Sequence, residues 1–533
     1  MKCFTTTSIC IPEENYMVDF SERVQDIKKL IDTGKYISLC RARQYGKTTT
    51  LYGLRKALEQ TYYVVFMDFE AFGAASFRDE ASFCRDFSGE FFSRMKAVAD
   101  PENRELAQSL EKLDEFVHGG DLDIRFYTMF TVIKQIWNTA DKAVVLCIDE
   151  VDSASNNQVF IDFLSQLRYH YQQHRQDKTY KIFQSVILSG VMDIRMLKSK
   201  ISKNPDEKQN SPWNIAVDFN GDMSLSGSGI ERMLKEYEQD KHTGMDTASM
   251  ARALREYTNG YPFLVSRLCQ LMDERVSQNT GLSKAWTKPG FEEALRLLLA
   301  EDNTLFQSLN VKLNNYPELR NALRCVLMEG IKLSYNSQQV SISQLQMYGF
   351  IRNENNTVRV ANRIFETLLY NEFLSEEEIK DSVFSRRGDL DKNVFVHNGR
   401  LDMRKVLEHF IETYIQIFGP LKDKFKEKDG REQFLLYLKP IINGTGNYYI
   451  EAQTRDQTRT DVIVDYLGQQ FVLELKIWRG ERYNEEGERQ ISAYLDYFGL
   501  DVGYMLSFNF NKKKRTGVEL VHIGNKTLYE GTV

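Results

Sequence analysis

The sequence predicts an α/β protein in which short apolar strands alternate with long helices. Three runs, at residues 62–68, 143–149 and 185–189, are rich in β-branched residues and are separated by helical stretches. Strands that are apolar on both faces predict a parallel sheet covered by helices on both sides. A second α/β pattern, with its helices and strands in a different order, occupies the C-terminal end of the chain. The chain therefore contains at least two α/β domains.

Length and composition describe packed globular domains. The chain has 533 residues, 42% hydrophobic and 27% charged, with 31 Gly and 9 Pro, and roughly 150 residues per domain predicts three to four domains. The net charge of -6 excludes a global basic field, so a nucleic acid must bind to a local basic patch. The seven cysteines form no Cys-x-x-Cys pair, and the chain has neither a signal-peptide core nor a membrane-spanning apolar run. We therefore expect a cytoplasmic protein with reduced thiols and no membrane partner.

The first α/β unit begins with an amphipathic helix over residues 17–34, which ends at a glycine. A strand over residues 35–40 follows directly. After a short loop, leucines recur at helical spacing from Leu51 to Leu58. The order strand, Gly-containing loop and helix is the start of an α/β unit.

The loop between this strand and this helix has the composition of a phosphate-binding site. Its last residues, Gly46, Lys47 and Thr48, supply a backbone that can curl round phosphates, an ammonium group for their oxygens and a hydroxyl for Mg²⁺. Arg41 stands where the motif G-x-x-x-x-G-K-[ST] has its first Gly. The loop predicts binding of ATP with Mg²⁺. The predicted nucleotide-binding residues of the loop are Arg43, Gly46, Lys47, Thr48 and Thr49.

A second motif lies where the strand over residues 143–149 ends. Asp149 is predicted to hold Mg²⁺ through water, and Glu150 to orient or deprotonate the attacking water. Ser189 ends the next apolar strand and could sense the γ-phosphate. The alternative is that Lys47 and Thr48 only start a helix and the two carboxylates only cap another. Two motifs at strand ends, in the order an ATPase requires, favour the nucleotide site.

The middle of the chain is predicted to be mainly helical, with a break at residues 259–262 and a hairpin that turns at residues 353–356. The helical part has the outline of a lid, and the helices followed by the hairpin have the outline of a winged helix. The predicted segments are an α/β core at 1–225, a helical lid at 226–300, a winged-helix-like module at 301–375, a charged and helical connection at 376–425 and a last α/β domain at 426–533.

The last domain brings two carboxylates and a lysine to converging positions. Asp461 opens one predicted strand, and Glu474 and Lys476 lie on one face of the next, with Leu475 pointing away. Phosphodiester hydrolysis needs Mg²⁺ at the scissile phosphate, so Asp461 and Glu474 are the predicted metal ligands and Lys476 the general acid/base or electrostatic partner. The alternative is that Asp461, Glu474 and Lys476 only form a solvated face of the strands and have no catalytic role. The run 471–478 is otherwise strongly apolar, and burying charges there is costly unless they have a function or a partner.

The chain resembles AAA-like ATPases related to origin-recognition and STAND-type NTPases, which many bacterial proteins join to a restriction-like nuclease. Besides the two nucleotide motifs, the resemblance rests on Phe20-Ser-Glu-Arg23 before the first strand and on Gly260-Tyr-Pro262 in the lid. It implies that Pro262 faces the base. The implied architecture is a P-loop AAA-like parallel-sheet domain with a helical lid and a winged-helix-like module, plus a C-terminal restriction-endonuclease-like α/β domain.

The last domain resembles PD-(D/E)XK nucleases through its Asp...Glu-x-Lys pattern and its α-β-β-β-α-β order, with Thr460 in place of the motif's Pro. The resemblance implies that Gln490 on the following helix belongs to the site. It also implies an extra carboxylate, which is Glu432 on the preceding helix or, alternatively, Glu451 on the first strand. Basic residues around the site favour a polyanion. They do not distinguish DNA from RNA, and DNA is the expected partner.

The sequence thus predicts an ATP-binding and ATP-hydrolysing protein with a Mg²⁺-dependent DNA nuclease domain under nucleotide control. The resemblance suggests a use in phage defence or in mobile-element biology. A homo-oligomer is expected, because AAA-type active sites often lie at subunit boundaries. Two alternatives come from other classes: a nucleotide-switched DNA-binding or signalling scaffold with an inert nuclease fold, and a pure ATPase signalling protein.

Overall fold

A computed structural model of the chain describes residues 2–119, 124–192, 212–328, 331–379, 383–418, 427–442, 446–453, 459–477, 481–509 and 515–533. The chain divides into two compact units, Met1–Ser224 with Met347–Gly349, and Leu225–Gln346 with Phe350–Val533. The predicted phosphate-binding loop lies in the first unit, and the predicted nuclease residues lie in the second.

The first unit is built on a parallel sheet. Its strands are β1 Ile37–Cys40, β2 Tyr63–Asp68, β3 Val144–Asp149, β4 Ser185–Gly190 and β5 Val217–Asp218. Its α-helices are α1 Ser21–Asp32, α2 Lys47–Leu58, α3 Glu80–Val98, α4 Arg104–His118, α5 Phe126–Thr139 and α6 Gln158–Gln176. The strand order is β2-β3-β4-β1-β5, and every neighbouring pair is parallel. The predicted α/β class and parallel sheet are confirmed, and the short strand β5 is an addition to the prediction.

Both faces of this sheet are covered, as the apolar strands predict. Successive residues of β3 enter different cores: Leu146 and Ile148 pack with α3 to α6, and Val145 and Cys147 pack with α1 and α2. Because a strand's side chains alternate between its faces, a strand buried on both sides must be apolar throughout. The two cores hold the carboxyl edge of the sheet in place.

The second unit begins with the helical lid. Its α-helices are α7 Gly227–Lys241, α8 Thr247–Thr258, α9 Pro262–Leu271, α10 Ser277–Thr280, α11 Leu282–Ala285 and α12 Lys288–Leu299, with a π-helical turn at Met272–Val276. Helix α9 begins at a proline, whose fixed φ suits a first helical turn.

Three helices and a hairpin follow the lid. They are α13 Thr304–Asn315, α14 Pro317–Leu327, α15 Val340–Met347, β6 Ile351–Glu354 and β7 Thr357–Val360, and they lead into α16 Arg363–Ile379. Asn355 and Asn356 both have positive φ, 49° and 60°, as a tight hairpin turn requires. The predicted hairpin is therefore present.

The C-terminal part forms a six-stranded mixed sheet. Its elements are α17 Val383–Phe395, β8 Val396–His397, β9 Arg400–Leu401, α18 Met403–Phe418, α19 Glu427–Ile442, β10 Gly446–Gln453, β11 Arg459–Tyr466, β12 Gln469–Ile477, α20 Glu481–Phe498, β13 Val502–Phe508, β14 Gly517–Ile523 and β15 Lys526–Thr532. The order is β10-β11-β12-β13-β15-β14. The pairs β12–β13 and β13–β15 are parallel, and the other pairs are antiparallel.

One sequence expectation needs correction in this part. The predicted α-β-β-β-α-β order ends with the strand at 502–508, but β14 and β15 extend the sheet beyond it.

The stretch 376–425, predicted as a charged and helical connection, is mainly helical where it is described. Its helices α17 and α18 are packed together through Phe384, Phe410 and Tyr414, and α18 also lies against β14 and β15. Among the described helices, none combines the length and apolar character that a membrane span requires.

Candidate functional site

The loop between β1 and α2 folds into a concave backbone. Gly46 caps α2 with φ 79°, and Gln44 has φ 55°. Positive φ angles in a short loop turn successive backbone N–H groups towards one side, which creates an anion-binding concavity. A Cβ at Gly46 would meet no atom within 4 Å, so the backbone conformation, not the available space, selects glycine here.

Lys47 begins α2 and turns its ammonium group back into the loop. Its Nζ donates to the carbonyls of Arg41 and Ala42, each at 3.2 Å, and the side chain is buried. Burial lowers the pKa of Lys47, and the carboxylates of Glu150 and Asp149 oppose that shift. The ammonium is thus placed inside the loop, where it can donate to a phosphate.

The two predicted nucleotide motifs meet through a hydrogen bond. Thr48 Oγ1 donates to Asp149 Oδ2 at 2.8 Å, and Asp149, the last residue of β3, is 1% exposed. Asp149 Oδ1 also accepts the backbone N–H of Glu150 at 3.0 Å. Hydroxyl and carboxylate oxygens are the ligands that Mg²⁺ prefers, so these residues fit the predicted ion.

Glu150 follows Asp149 with a left-handed backbone, φ 50° and ψ 41°. Such a conformation costs a residue with a side chain about 1–3 kcal/mol and is typical of functional sites. Burial raises the pKa of Glu150, whereas Lys47 and Arg43 favour its charged form. A carboxylate with a raised pKa beside a lysine is a plausible proton acceptor for water.

Sequence reasoning missed two carboxylates at this edge. Asp152 accepts the backbone N–H groups of Val191 and Met192, at 2.5 and 2.8 Å, and so joins the turn after β3 to the end of β4. Asp68 ends β2 as the register partner of Asp149, and burial, followed by the charge of Asp149, raises the pKa of Asp68. The acidic ends of β2 and β3 were the available signal in the sequence.

The remaining predicted residues of the first unit have different surroundings. Ser189 on β4 is fully buried, and its hydroxyl has no hydrogen-bond partner within the described structure. Thr49 Oγ1 accepts the backbone N–H of Cys10 at 3.3 Å, so the N-terminal segment lies against the start of α2. Arg43 is exposed on the loop. The roles assigned to these residues stay predictions.

Arg41 directs its guanidinium away from the phosphate-binding loop. It donates to the carbonyl oxygens of Cys40 at 2.7 Å, Phe219 at 2.7 Å and Gly221 at 2.9 Å. Arg23 on α1 donates nearby, to Met223 O at 3.0 Å. The arginine that replaces the first glycine of the motif therefore binds the segment after β5.

The predicted nuclease residues lie on strands β11 and β12 of the second unit. Glu474 and Lys476 are 7% and 4% exposed and share one face of β12, with Leu475 buried on the other face. In the antiparallel pair β11–β12, Val462 faces Leu473, so Asp461 stands at the next position along, opposite Glu474. The side chains of Asp461 and Gln490 lie outside the described residues.

Helices α19 and α20 cover opposite faces of this sheet. A Cβ at Gly430 of α19 would meet the Phe508 ring, whereas a Cβ at Gly503 would meet Ile491 and Leu495 of α20. Because Gly503 and Phe508 point to opposite faces of β13, α20 covers the face that carries Glu474. Glu432 belongs to the helix on the other face, and its role stays a prediction. No cluster of three or more His, Cys, Asp or Glu side chains that could hold a metal is found in the described parts of the chain.

A parallel sheet with a Lys47–Thr48 loop after its first strand and a buried aspartate at the end of β3 defines a P-loop nucleotide-binding protein. Residues 13–375 match the sequence model of the AAA-like domain. The chain therefore belongs to the AAA-like domain family, as an ATP-binding P-loop ATPase. Pro262, the first residue of α9, lies in the second unit, and its contact with the base stays a prediction.

The chain is also similar to solved structures with low sequence identity. The Walker-type ATPase of Pyrococcus abyssi is 12% identical, with 69% of this chain and 99% of that chain covered and a TM-score of 0.43. The ORC2 protein of Aeropyrum pernix, in ADPNP and ADP complexes, is 11% identical, with 67% and 94% covered and a TM-score of 0.34. The ORC1 protein of the same organism, in complex with DNA, is 10% identical, with 68% and 94% covered and a TM-score of 0.29. No curated protein sequence matches this chain.

Proposed function

We propose that this protein is an ATP-regulated, Mg²⁺-dependent DNA nuclease. The observation that carries the nuclease half is the joint burial of Glu474 and Lys476 on one face of an otherwise apolar strand, opposite Asp461. An isolated buried charge is destabilising, so a carboxylate and an amine two residues apart on one strand face favour a catalytic site over a solvated surface.

In the AAA-like part, four residues of the predicted nucleotide site each have a role in ATP binding or hydrolysis. Lys47 donates to the phosphate oxygens, Thr48 and Asp149 would hold Mg²⁺, and Glu150 orients the attacking water and accepts its proton. When bound, the ion neutralises phosphate charge. The hydrogen bond between Thr48 and Asp149 already brings the two metal-binding groups together.

In the C-terminal part, Asp461 and Glu474 would hold Mg²⁺, and Lys476 would position the attacking water or stabilise the charge that develops on the phosphate. Gln490 on α20 belongs to the helix that covers this face. The order α19, β10, β11, β12, α20, β13 supports the proposed restriction-endonuclease-like core, to which β14 and β15 are additions. Glu432 is a further member of the proposed catalytic set.

Three finer assignments belong to the same proposal. The module at 301–375 acts as a winged helix on DNA, the protein works as a homo-oligomer in the cytoplasm, and its biological use is in phage defence or in mobile-element biology. The helices and hairpin of the module support the first assignment. The charges around β11 and β12, among them Arg459, support a polyanionic substrate.

The test is cleavage of supercoiled and linear DNA by the purified protein with Mg²⁺, with and without ATP. We expect Glu474→Gln to lower cleavage at least about 100-fold, because it removes the charge of a metal ligand. The matched control is Glu519→Gln, which changes an exposed carboxylate on β14 of the same sheet. Lys47→Ala should abolish the effect of ATP.

The outcomes separate the alternatives. Equal cleavage by Glu474→Gln and the wild type would contradict the assigned site. Absence of cleavage with Mg²⁺ or Mn²⁺ in every nucleotide state would instead support a nucleotide-switched scaffold with an inert nuclease fold.

A further inference from the structure

A buried hydrogen bond joins the helical lid to the strands that carry the proposed nuclease residues. Tyr257 Oη, on lid helix α8, donates to Asp465 Oδ2 on β11 at 2.7 Å, and both residues are buried. Gln470 on β12 donates to the other carboxylate oxygen at 2.8 Å. The Asp465 carboxylate therefore binds the lid through one oxygen and the neighbouring strand through the other.

A second contact lies at the turn between β11 and β12, two strands that together form the β11–β12 ribbon, residues 459–477. The side chain of Glu292 on lid helix α12 lies beside Gly468, where a Cβ would be 3.9 Å from Glu292 Oε2. Leu467 and Gly468 both have positive φ, 47° and 81°, so the ribbon has a tight two-residue turn. The lid thus contacts the ribbon both on its face and at its tip.

The side chain of Tyr257 is itself held in place. Arg363 at the start of α16 lies over the Tyr257 ring at 5.3 Å and pairs with Glu256 at 2.7 Å. The phenol of Tyr257 is therefore fixed between a buried arginine and the ribbon. Because the Tyr257 hydroxyl is held in place, its hydrogen bond also fixes the position of β11, which carries the accepting carboxylate of Asp465.

The register places this contact on the same face as the proposed metal ligands. Asp465 and Gln470 are direct partners across the ribbon. Asp461 and Glu474 lie four residues further along each strand, an even number, so these two positions belong to the same face of the ribbon as Asp465 and Gln470. At about 3.3 Å per residue, the separation is about 13 Å along the strands.

We propose that the Tyr257–Asp465 hydrogen bond and the Glu292–Gly468 contact form a latch through which the lid positions the β11–β12 ribbon, and with it Asp461 and Glu474. Tyr257 is in this sense a positioning residue that acts through Asp465. A hydrophobic pair of similar volume would hold the lid and the ribbon together equally well. A hydrogen bond, in contrast, specifies one position of the lid relative to the ribbon. The link from the latch to cleavage rests on the proposed nuclease function; the latch itself does not.

The latch is tested by hydrogen exchange on the full chain, with and without a non-hydrolysable ATP analogue and Mg²⁺. In the wild type, we expect the analogue to change exchange in the ribbon. Tyr257→Phe removes only the hydroxyl, so it should speed ribbon exchange about fivefold to tenfold and abolish the response to the analogue. Asp465→Asn keeps the volume of the side chain. Like Tyr257→Phe, it should weaken the response of ribbon exchange to the analogue.

The matched control is Tyr237→Phe. Tyr237 donates to Asp273 and accepts from Trp286 Nε1 at 3.0 Å, so this variant removes a partly buried tyrosine–aspartate bond that lies wholly inside the lid. It should speed exchange in the lid and leave the ribbon's response to the analogue intact. If Tyr257→Phe leaves ribbon exchange at the wild-type rate, the latch is wrong. If Tyr257→Phe speeds ribbon exchange but the wild-type ribbon does not respond to the analogue, the latch stands and the ATP control in the proposed function is wrong.

Cleavage provides the second readout. If the wild type cleaves DNA in an ATP-dependent manner, Tyr257→Phe should bring the ratio of cleavage with and without ATP close to one, and Tyr237→Phe should not. If the wild type never cleaves, the proposed nuclease function fails, and hydrogen exchange still decides the latch.

Discussion

Arg41 is the residue at which this chain departs most clearly from a phosphate-binding loop. Its guanidinium donates to three carbonyl oxygens, two of them on Phe219 and Gly221 after β5. We expect Arg41→Gly, which restores the usual residue, to retain ATP affinity because Lys47 and Thr48 keep their places. The same change should lower the free energy of unfolding by about 1–3 kcal/mol, since it removes charge-assisted hydrogen bonds.

The measurements are calorimetric ATP binding and urea unfolding. The control is Arg55→Ala, which removes an exposed arginine from α2 of the same unit. Loss of ATP affinity with unchanged stability would show that the arginine acts on the nucleotide and not on the segment after β5.

Glu292 predicts a pH dependence of stability. Burial and the nearby Asp465 raise the pKa of Glu292 to about 7, so the folded state keeps a proton that the unfolded chain loses near pH 4.5. As the pH rises from about 4.5 to 7, the free energy of unfolding should therefore fall, by about 1–2 kcal/mol for this half-buried group. Glu292→Gln keeps the size of the side chain but cannot ionise, so it should remove this part of the pH dependence. Urea unfolding at pH 5 and 7.5 checks it, and an equal pH dependence in the variant would contradict it.

At the scale of elements, Gly260 joins α8 to α9. Its φ is +70°, and a Cβ there would lie 2.2 Å from the carbonyl oxygen of Leu225 and 2.5 Å from Arg255. Gly260→Ala should therefore destabilise the second unit by more than about 2 kcal/mol. Gly244→Ala, at φ +79° with no atom within 4 Å, is the matched control and should cost only about 1 kcal/mol. Equal losses in thermal or urea unfolding would show that the close approach has no effect.

The elements that were predicted correctly are those with strong periodicity. Strand β3 is apolar at every position between its charged flanks, and the Asn355–Asn356 turn has a composition that favours positive φ. Strand β14 was missed because much of it is accessible, with Leu520 exposed. An edge strand with one solvated side lacks the apolar run that marks a central strand.

At the scale of the whole molecule, the nucleotide site and the proposed nuclease site belong to different compact units. The chain passes from the first unit to the second after Ser224. Immediately before this point, Arg41 and Arg23 donate to the carbonyls of Phe219, Gly221 and Met223. The residue that replaces the loop's first glycine thus holds the segment that leads into the second unit. Within the second unit, the lid contacts the β11–β12 ribbon.

The sequence by itself determined the α/β class, the phosphate-binding loop and the acidic end of β3, because these depend on local patterns: apolar runs, a Gly-Lys-Thr triplet and charges at a strand end. It also placed Glu474 and Lys476 on one strand face, since alternation is a property of any strand. Only the tertiary structure decided that Thr48 bonds Asp149, that Arg41 turns towards the segment after β5 and that Tyr257 meets Asp465. Each of these contacts joins residues far apart in the chain, and no local pattern specifies which distant group a side chain will reach when the chain packs.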